Sequence, residues 1–433
     1  MGKRGLRARP GRGARAARRG VRAAAGRAPA ARLRAVPGLR RLDGLAVAGK
    51  RVLVRVDLNV PLSEGKILDD TRLRRILPTV RALLERGAAV ILLSHLGRPG
   101  GKAVAELSLR RLCAALSARL GGRPVAFVED VAGAPARAAA ETLERGSVLL
   151  LENLRFDPGE EANDPGFAGR LAELGDAYVD DAFSCAHRAH ASIDTLARLL
   201  PAAAGLDMAR ELDMLENALG APTRPLTAIV GGAKVSTKLG VLEALAAQVD
   251  ALVVGGGMAN TFLSARGLDV GRSLCEGGQR ESVGAVERAL AARGGRLLLP
   301  ADAIVARDLQ DDGAPRAVAV DAIPPDAMIL DIGPACVAEI EARIEASRTI
   351  VWNGPLGAFE RPPFDRGTLA VARAVAQTTA AGKLASVAGG GETLAAIERA
   401  GVAGQFTHLS TAGGAFLEWL EGRELPGVAA LLA

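Results

Sequence analysis

From Leu45 onward the chain alternates short apolar runs with longer stretches of helical period, a pattern that limits it to parallel sheets carrying crossover helices. Strand-like runs fall at Arg51 to Val56, Ala89 to Ser94, Val125 to Glu129, Val148 to Asn153 and Ala177 to Asp181. Amphipathic stretches such as Arg72 to Arg86, Leu109 to Leu120 and Pro135 to Arg145 lie between them. The alternation pauses at Gly205 to Leu219, which reads as one long helix closed by Gly220 and makes a stiff connector. It restarts after Pro225, with strands expected at Leu226 to Val230, Ala251 to Val254, Arg296 to Leu299, Met328 to Ile332, Thr349 to Trp352 and Leu384 to Ala388. Helices such as Cys336 to Ala346 and Thr368 to Thr379 fill the gaps. At 433 residues the chain exceeds one ordinary core, so two similar α/β units in tandem are expected.

In open α/β sheets ligands sit beyond the carboxyl ends of the strands, and nearly every polar motif here lies at such an end. In the first unit Asp57, Asn59, Arg72, His95, Arg98, Arg155 and Arg188 each stand just past an expected strand or in the next helix. Arginine suits a small phosphorylated carboxylate because its planar fork binds two oxygens at once. Asp57 and Asn59 add groups for a hydroxyl of the same ligand. In the second unit Lys234 and Lys238 lie in Gly231-Gly232-Ala233-Lys234-Val235-Ser236-Thr237-Lys238, between a strand-like run and a helix, where an anion is favoured. Glycine turns recur at Gly255 to Gly257, Asn353-Gly354-Pro355, Gly389 to Gly391 and Gly413-Gly414, letting backbone N–H groups approach a phosphate or a flat base. No Gly-x-x-x-x-Gly-Lys-Ser/Thr occurs, and Asn260 stands where a dinucleotide fingerprint needs its third glycine, so both of those nucleotide sites are disfavoured.

The net charge of +7 hides a division. Residues 1–41 hold one Lys, 13 Arg and no acid, which leaves residues 42–433 at −7. That basic stretch has no apolar periodicity and is expected to be disordered. An export signal at Arg18-Arg19 is interrupted by Arg22, Arg27, Arg32 and Arg34, and a transit peptide would carry serines that are absent here. Two readings stay open: an arm that binds nucleic acid by charge alone, or an upstream stretch preceding a true start near Val36 or Leu42. Apolar runs such as Ala88 to Leu93 fall far short of the roughly 20 residues of a membrane span. The cysteines, Cys113, Cys185, Cys275 and Cys336, form no Cys-x-x-Cys pair, so a soluble protein of the reducing cytoplasm is expected. Cys185, His187 and His190 beside Asp180 and Asp181 suggest a metal cluster, but Arg188 in their midst opposes a cation.

The motifs Arg55 to Pro61, Ser94 to Pro99, Glu152 to Phe156, Asp181 to Phe183 with Ala186 to His190, Gly231 to Lys238, Gly255 to Phe262, Trp352 to Glu360 and Ala388 to Thr393 follow one order, and in that order the chain resembles the phosphoglycerate kinases from about Leu42 to its end. The resemblance implies two Rossmann-like domains joined by an interdomain helix and hinge: residues 42–204 for 3-phosphoglycerate, 205–220 for the helix, 221–410 for the nucleotide, and 411–433 packing back on the first domain. It implies reversible phosphoryl transfer between 1,3-bisphosphoglycerate and ADP, with Mg²⁺ carried on ADP or ATP, in a cytoplasmic monomer. By the family's pattern Asp57, Leu58, Asn59, Arg72, His95, Leu96, Gly97, Arg98, Arg155 and Arg188 surround the glycerate. Lys238, Gly255, Gly256, Asn353, Glu360, Gly390, Gly391, Glu392 and Thr393 surround the nucleotide, Glu392 at the metal carboxylate position. Arg72, Lys234 and Lys238 stand at the catalytic positions, Lys234 on the group in flight and Lys238 on the nucleotide phosphates. Such a transfer needs alignment and positive charge but no general base.

Three positions depart from the family's pattern. Glu392 replaces an Asp, and its extra methylene moves the carboxylate outward, which matters for a metal with strict octahedral geometry. Ala412 replaces a glycine, at a cost of about 1 kcal/mol if the backbone there needs positive φ. Asp180 stands where Asn is common, adding negative charge near the arginines. Glu392 and Ala412 also motivate a second reading, a nucleotide-binding homologue with little catalysis.

Overall fold

The computed structural model describes residues 1–2, 35–63, 65–310 and 315–432. Most of the basic tail, 3–34, and with it the expectations of disorder and nucleic-acid contact, lies outside the described residues. Residues 36–41, which the sequence reading counted with the tail, are packed: Leu39 is buried, Arg40 N–H donates to Leu431 O at 3.0 Å, and Arg41 pairs with Asp213 at 2.6 Å. Leu39, the Arg41–Asp213 pair and the hydrogen bonds of Val36 and Arg40 hold that stretch on the body of the protein.

In chain order the strands are β1 (Arg51–Val56), a short antiparallel pair β2 (Leu62–Ser63) and β3 (Lys66–Ile67), β4 (Ala89–Leu93), β5 (Val125–Phe127), β6 (Val148–Leu150), β7 (Ala177–Asp181) and β8 (Ala202–Ala204). They continue with β9 (Leu226–Val230), β10 (Ala251–Val254), β11 (Arg296–Leu298), β12 (Asp302–Ala306), β13 (Arg316–Ala319), β14 (Met328–Ile332), β15 (Thr349–Asn353), β16 (Ala385–Gly389) and β17 (His408–Ser410). Two six-stranded sheets, parallel throughout, organise two lobes, ordered β5-β6-β4-β1-β7-β8 and β11-β10-β9-β15-β16-β17. Helices cover both faces, which is why β4, β7, β9 and β15 are buried along their whole length and read as nearly unbroken apolar runs.

Counted along each lobe's own strands, the second sheet runs 3-2-1-4-5-6, the dinucleotide-fold order, whereas the first runs 3-4-2-1-5-6. Both reverse direction beside their first strand: between β1 and β7 in the first lobe, and between β9 and β15 in the second.

Met328–Ile332, expected as one more strand of the second parallel sheet, instead lies in a separate three-stranded antiparallel sheet ordered β13-β12-β14. Its partners β12 and β13 were missed because they are short and half exposed, with no clean alternation. The strand β8 escaped because three alanines carry no β signal.

The expected Arg72 to Arg86 helix is two, Thr71–Arg75 and Leu77–Glu85, because Pro78 has no N–H to continue the ladder. The connector is α-helical only over Leu206–Leu215 and widens into a π turn at Glu216–Gly220.

The lobes meet over this connector. Its Glu211, buried, receives Arg75 of the first lobe at 2.5 Å and His408 of β17 at 3.0 Å, while Arg75 also donates to the Thr411 hydroxyl. Past Thr411 the chain returns to the first lobe, where Gly427 N–H reaches Ala186 O at 2.9 Å and Leu432 bridges Leu39.

Candidate active site

The first-lobe cluster is assembled at the point where its strand order reverses. Asp57 leaves β1 and Ser184 follows the adjacent β7, and the Ser184 hydroxyl donates to Asp57 Oδ2. Asp57 also accepts from Asn59 N–H at 2.9 Å and from Arg72 at 2.8 Å, and Arg72 is presented by the helix Thr71–Arg75. Burial pushes the Asp57 carboxyl up, but the Arg72 charge, then the neighbouring His95 and the Ser184 and Asn59 hydrogen bonds, outweigh it and hold the carboxyl below the ordinary carboxylate range. Asp57 is therefore a fixed anion that aims Arg72.

The loop after β4 is tied to this frame. Ser94 Oγ takes Leu58 N–H at 2.9 Å and donates to Val56 O at 2.7 Å, and Asn59 Oδ1 accepts from Gly97 N–H at 2.9 Å. From the turn after β6, Asn153 Nδ2 donates to Leu96 O at 2.7 Å and Arg155 donates to Gly97 O at 2.7 Å. Asp57, Leu58, Asn59, Arg72, Leu96, Gly97 and Arg155 thus form one bonded unit. His95 is buried within it, and burial followed by the Arg55 charge holds its imidazole neutral, well below the ordinary histidine range. Arg155 is itself lowered, by burial and then, against the pull of Glu161, by the nearby Arg188 charge, which places Arg188 beside the same crevice. Arg98 stands exposed on the β4 loop, outside the bonded unit.

Asp180 is not a wall of this crevice. It is fully buried at the end of β7, its Oδ1 taking Ala182 N–H at 3.0 Å, and burial, against the pull of Arg55, raises its pKa to about 7. Among the described residues no group of three or more His, Cys, Asp and Glu could hold a metal.

The second-lobe site is made of backbone. The turns after β9 and β15 meet at the sheet's reversal point, and Gly231 N–H donates to Asn353 O at 2.9 Å. Gly354, at φ +99°, is required to be glycine: a Cβ there would lie 2.1 Å from Gly231 O and 2.8 Å from Lys238 Nζ. Gly390, at φ +97°, plays the same part after β16, opening the helix Gly391–Arg399. Asn353 and Thr393 are buried and join the turns, Asn353 Nδ2 donating to Gly389 O and Thr393 Oγ1 accepting Gly354 N–H, each at 2.7 Å.

Against these turns lies a cleft of about 410 Å³, lined by Gly232, Gly256, Gly257, Met328 to Ile332, Leu356, Glu360 and Glu392. That volume and its largely apolar floor suit one planar ligand with a polar tail. Gly255 ends β10 and starts the helix Gly256–Ala265, whose N-terminus faces the turn after β9. Lys238 Nζ donates to Gly231 O at 2.7 Å; burial, partly offset by Glu392, lowers its pKa to about 8. Lys234 is exposed on the same loop, near the Glu276 carboxylate that accepts Ser236 N–H at 2.8 Å. Glu392 is exposed in the first turn of its helix, within reach of the Lys238 charge.

Ala412, a departure from the expected glycine, has φ −87°, so its methyl carries no backbone strain; Gly413 takes the positive φ instead. Sequence reasoning missed Ser184, which holds Asp57, and Asp331, which is buried in the cleft wall and accepts Gly367 N–H at 2.7 Å and Ile332 N–H at 2.9 Å. Its signal was an acid inside the apolar run Met328 to Ile332.

With this geometry in place, likeness to other proteins is informative. The family model described as phosphoglycerate kinase matches residues 42–423. The phosphoglycerate kinase of Azorhizobium caulinodans is 56% identical over 396 residues, 92% of this chain and 100% of that one. That of Zymomonas mobilis is 54% identical, covering 91% and 99%. Among solved structures, phosphoglycerate kinase from Coxiella burnetii superposes with a TM-score of 0.84 at 42% identity, covering 91% of this chain and 98% of that one. The enzyme from Pyrococcus horikoshii gives 0.75 at 33%, with the same coverage.

Proposed function

The chain belongs to the phosphoglycerate kinase family, and from that premise we propose that it transfers a phosphoryl group reversibly between 1,3-bisphosphoglycerate and ADP. One observation carries the residue-level reading. Each lobe has its own anion-ready cluster at the reversal point of its sheet, and the glycine cleft is lined by none of the first-lobe residues. The bonded unit around Asp57 and Arg72, with His95, Arg98, Arg155 and Arg188, holds 3-phosphoglycerate. The glycine cleft with Lys238, Asn353, Glu360 and Thr393 holds the nucleotide.

Chemistry then waits for the lobes to close about the connector, which aligns donor and acceptor and excludes water from the acyl phosphate. Arg72 and Lys234 present charge to the equatorial oxygens of the moving group, Lys238 steadies the nucleotide phosphates, and the helix N-terminus at Gly391 adds its dipole. The acceptor oxygens are already ionised, so no residue is needed to remove a proton. The donor set fits magnesium brought by the nucleotide: Glu392 offers a lone carboxylate, and this ion takes one or two carboxylates together with substrate phosphates. When bound, Mg²⁺ supplies charge neutralisation on those phosphates.

Both sites are complete within one chain and all four cysteines are unpaired, which supports a cytoplasmic monomer. No described helix is long and apolar enough to cross a membrane. The test is coupled-assay turnover with 3-phosphoglycerate and Mg-ATP. A rate on the order of tens to hundreds per second is expected; no turnover with ADP still bound would favour the weakly catalytic reading.

A further inference from the structure

The strand β1 contains an arginine where its neighbours are valine and leucine. Arg55 is 1% exposed, and its guanidinium is spent entirely on protein: Nε donates to Ser192 Oγ at 2.9 Å, Nη1 to Val56 O at 2.5 Å, and Nη2 lies 3.1 Å from His95 Nδ1 and 3.8 Å from Cys185 Sγ. Ser192 in turn donates to the buried Glu160 at 2.6 Å, which fixes the far side of the fork. A guanidinium offers only N–H donors and keeps its proton in proteins. The ring nitrogen it meets must therefore accept.

The geometry points to Arg55 as a positioning residue that locks His95 in the neutral tautomer with its proton on Nε2, so that His95 meets the anionic substrate as an uncharged hydrogen-bond donor. An imidazolium would turn an Nδ1–H against the Arg55 fork. The other groups acting on the ring are Asp57 on the β1 loop, Arg72 on the helix Thr71–Arg75 and Arg155 after β6. Asp57 alone favours a charged ring, and its carboxylate is already engaged by Arg72 and Ser184. The consequence for the reaction is a division of labour: the arginines supply charge, and His95 supplies a directional donor that stays the same across the working pH range.

The inference rests on the reading of this crevice as the 3-phosphoglycerate site, and the two can fail separately. The chain has four histidines, so ¹⁵N-labelled rings give four spin systems, with His95 assigned by its loss in His95→Gln. In the unliganded full-length protein His95 should show a protonated Nε2 and a bare Nδ1 from pH 6 to 8. A proton on Nδ1, or a charged ring at pH 7, overturns the inference without any variant. Adding 3-phosphoglycerate should shift the Nε2 resonance; if the tautomer is as stated and nothing shifts, the site reading fails and the positioning role stands.

Arg55→Met should mix the tautomers and raise the pH at which His95 charges, giving kcat/KM for 3-phosphoglycerate a titration the parent lacks, though burial and the Arg155 and Arg72 charges still hold it below the ordinary histidine value. The substitution should lower that constant about tenfold, as for one misdirected hydrogen bond to a charged group, with the KM for ATP unchanged. Should Arg55→Met not fold, Arg55→Lys keeps the charge but loses the fork, and its ¹⁵N spectrum should show mixed His95 tautomers. A parent-like pH profile in folded Arg55→Met, or a single Nε2–H tautomer in Arg55→Lys, overturns the role.

Discussion

For the ligands proposed, the two lobes solve the same problem with opposite materials. The first lobe uses side chains: Asp57, Arg72, Asn59, His95 and Arg155 are locked to one another and to the β4 loop before any ligand arrives. The second uses backbone, with glycine turns after β9, β15 and β16 pressed together so closely that a single Cβ would collide with a carbonyl. A side-chain site fixes charge and shape at the cost of burying ionised groups. A backbone site fixes shape alone and leaves charge to two lysines and the ligand. The difference fits the ligands proposed: a small trianion, recognised by its charges, against a nucleotide, recognised by a flat base and a phosphate chain.

Four substitutions probe this contrast, in descending order of effect. Arg72→Ala removes the cation that Asp57 aims, and turnover should fall about 10²- to 10³-fold while ADP affinity by calorimetry stays near the parent value. A matching loss of ADP affinity would mean that the lobes are not separate in function. Gly354→Ala should do the reverse. Strain of about 1–3 kcal/mol should raise the ADP Kd roughly 10- to 100-fold and leave 3-phosphoglycerate binding intact.

Asp180→Asn tests the burden of buried charge in the first lobe. Its folded pKa of about 7 lies above the ordinary 3.8, so the folded state holds a proton that the unfolded chain releases. Stability linked to this group is therefore full below about pH 4 and is lost as pH rises to about 7. Asparagine mimics the protonated form, so denaturant titrations should show a gain of roughly 2–4 kcal/mol at pH 8 that shrinks toward zero at pH 4. The smallest effect is expected from Glu392→Asp: the magnesium concentration for half-maximal rate should move by less than about tenfold, or ~1 kcal/mol, with kcat for Mg-ATP little changed.

The same contrast explains what could be read from the chain beforehand. The β1, β7, β9 and β10 ranges coincide with the apolar runs, because strands buried on both faces advertise themselves. Sheet assignment was not readable: nothing local to Met328 to Ile332 says that its partners are antiparallel, and partnership is a long-range property. In the first lobe the candidate residues stood out by type, since an arginine past a buried strand is conspicuous. Arg55 was not, because an arginine inside a strand gives no hint that it faces His95. In the second lobe glycines marked the turns, but that Asn353 and Thr393 join those turns is visible only in three dimensions.

Lys238 carries a last consequence. An ammonium whose pKa sits at about 8 is already partly neutral in the empty cleft near that pH, and arriving phosphates restore its charge. With Lys238 at the nucleotide phosphates as proposed, nucleotide capture is also the uptake of a hydrogen ion from the medium. Calorimetric heats of ADP binding at pH 8 should change with the ionisation enthalpy of the buffer, and above that pH each further unit should weaken binding by up to about tenfold.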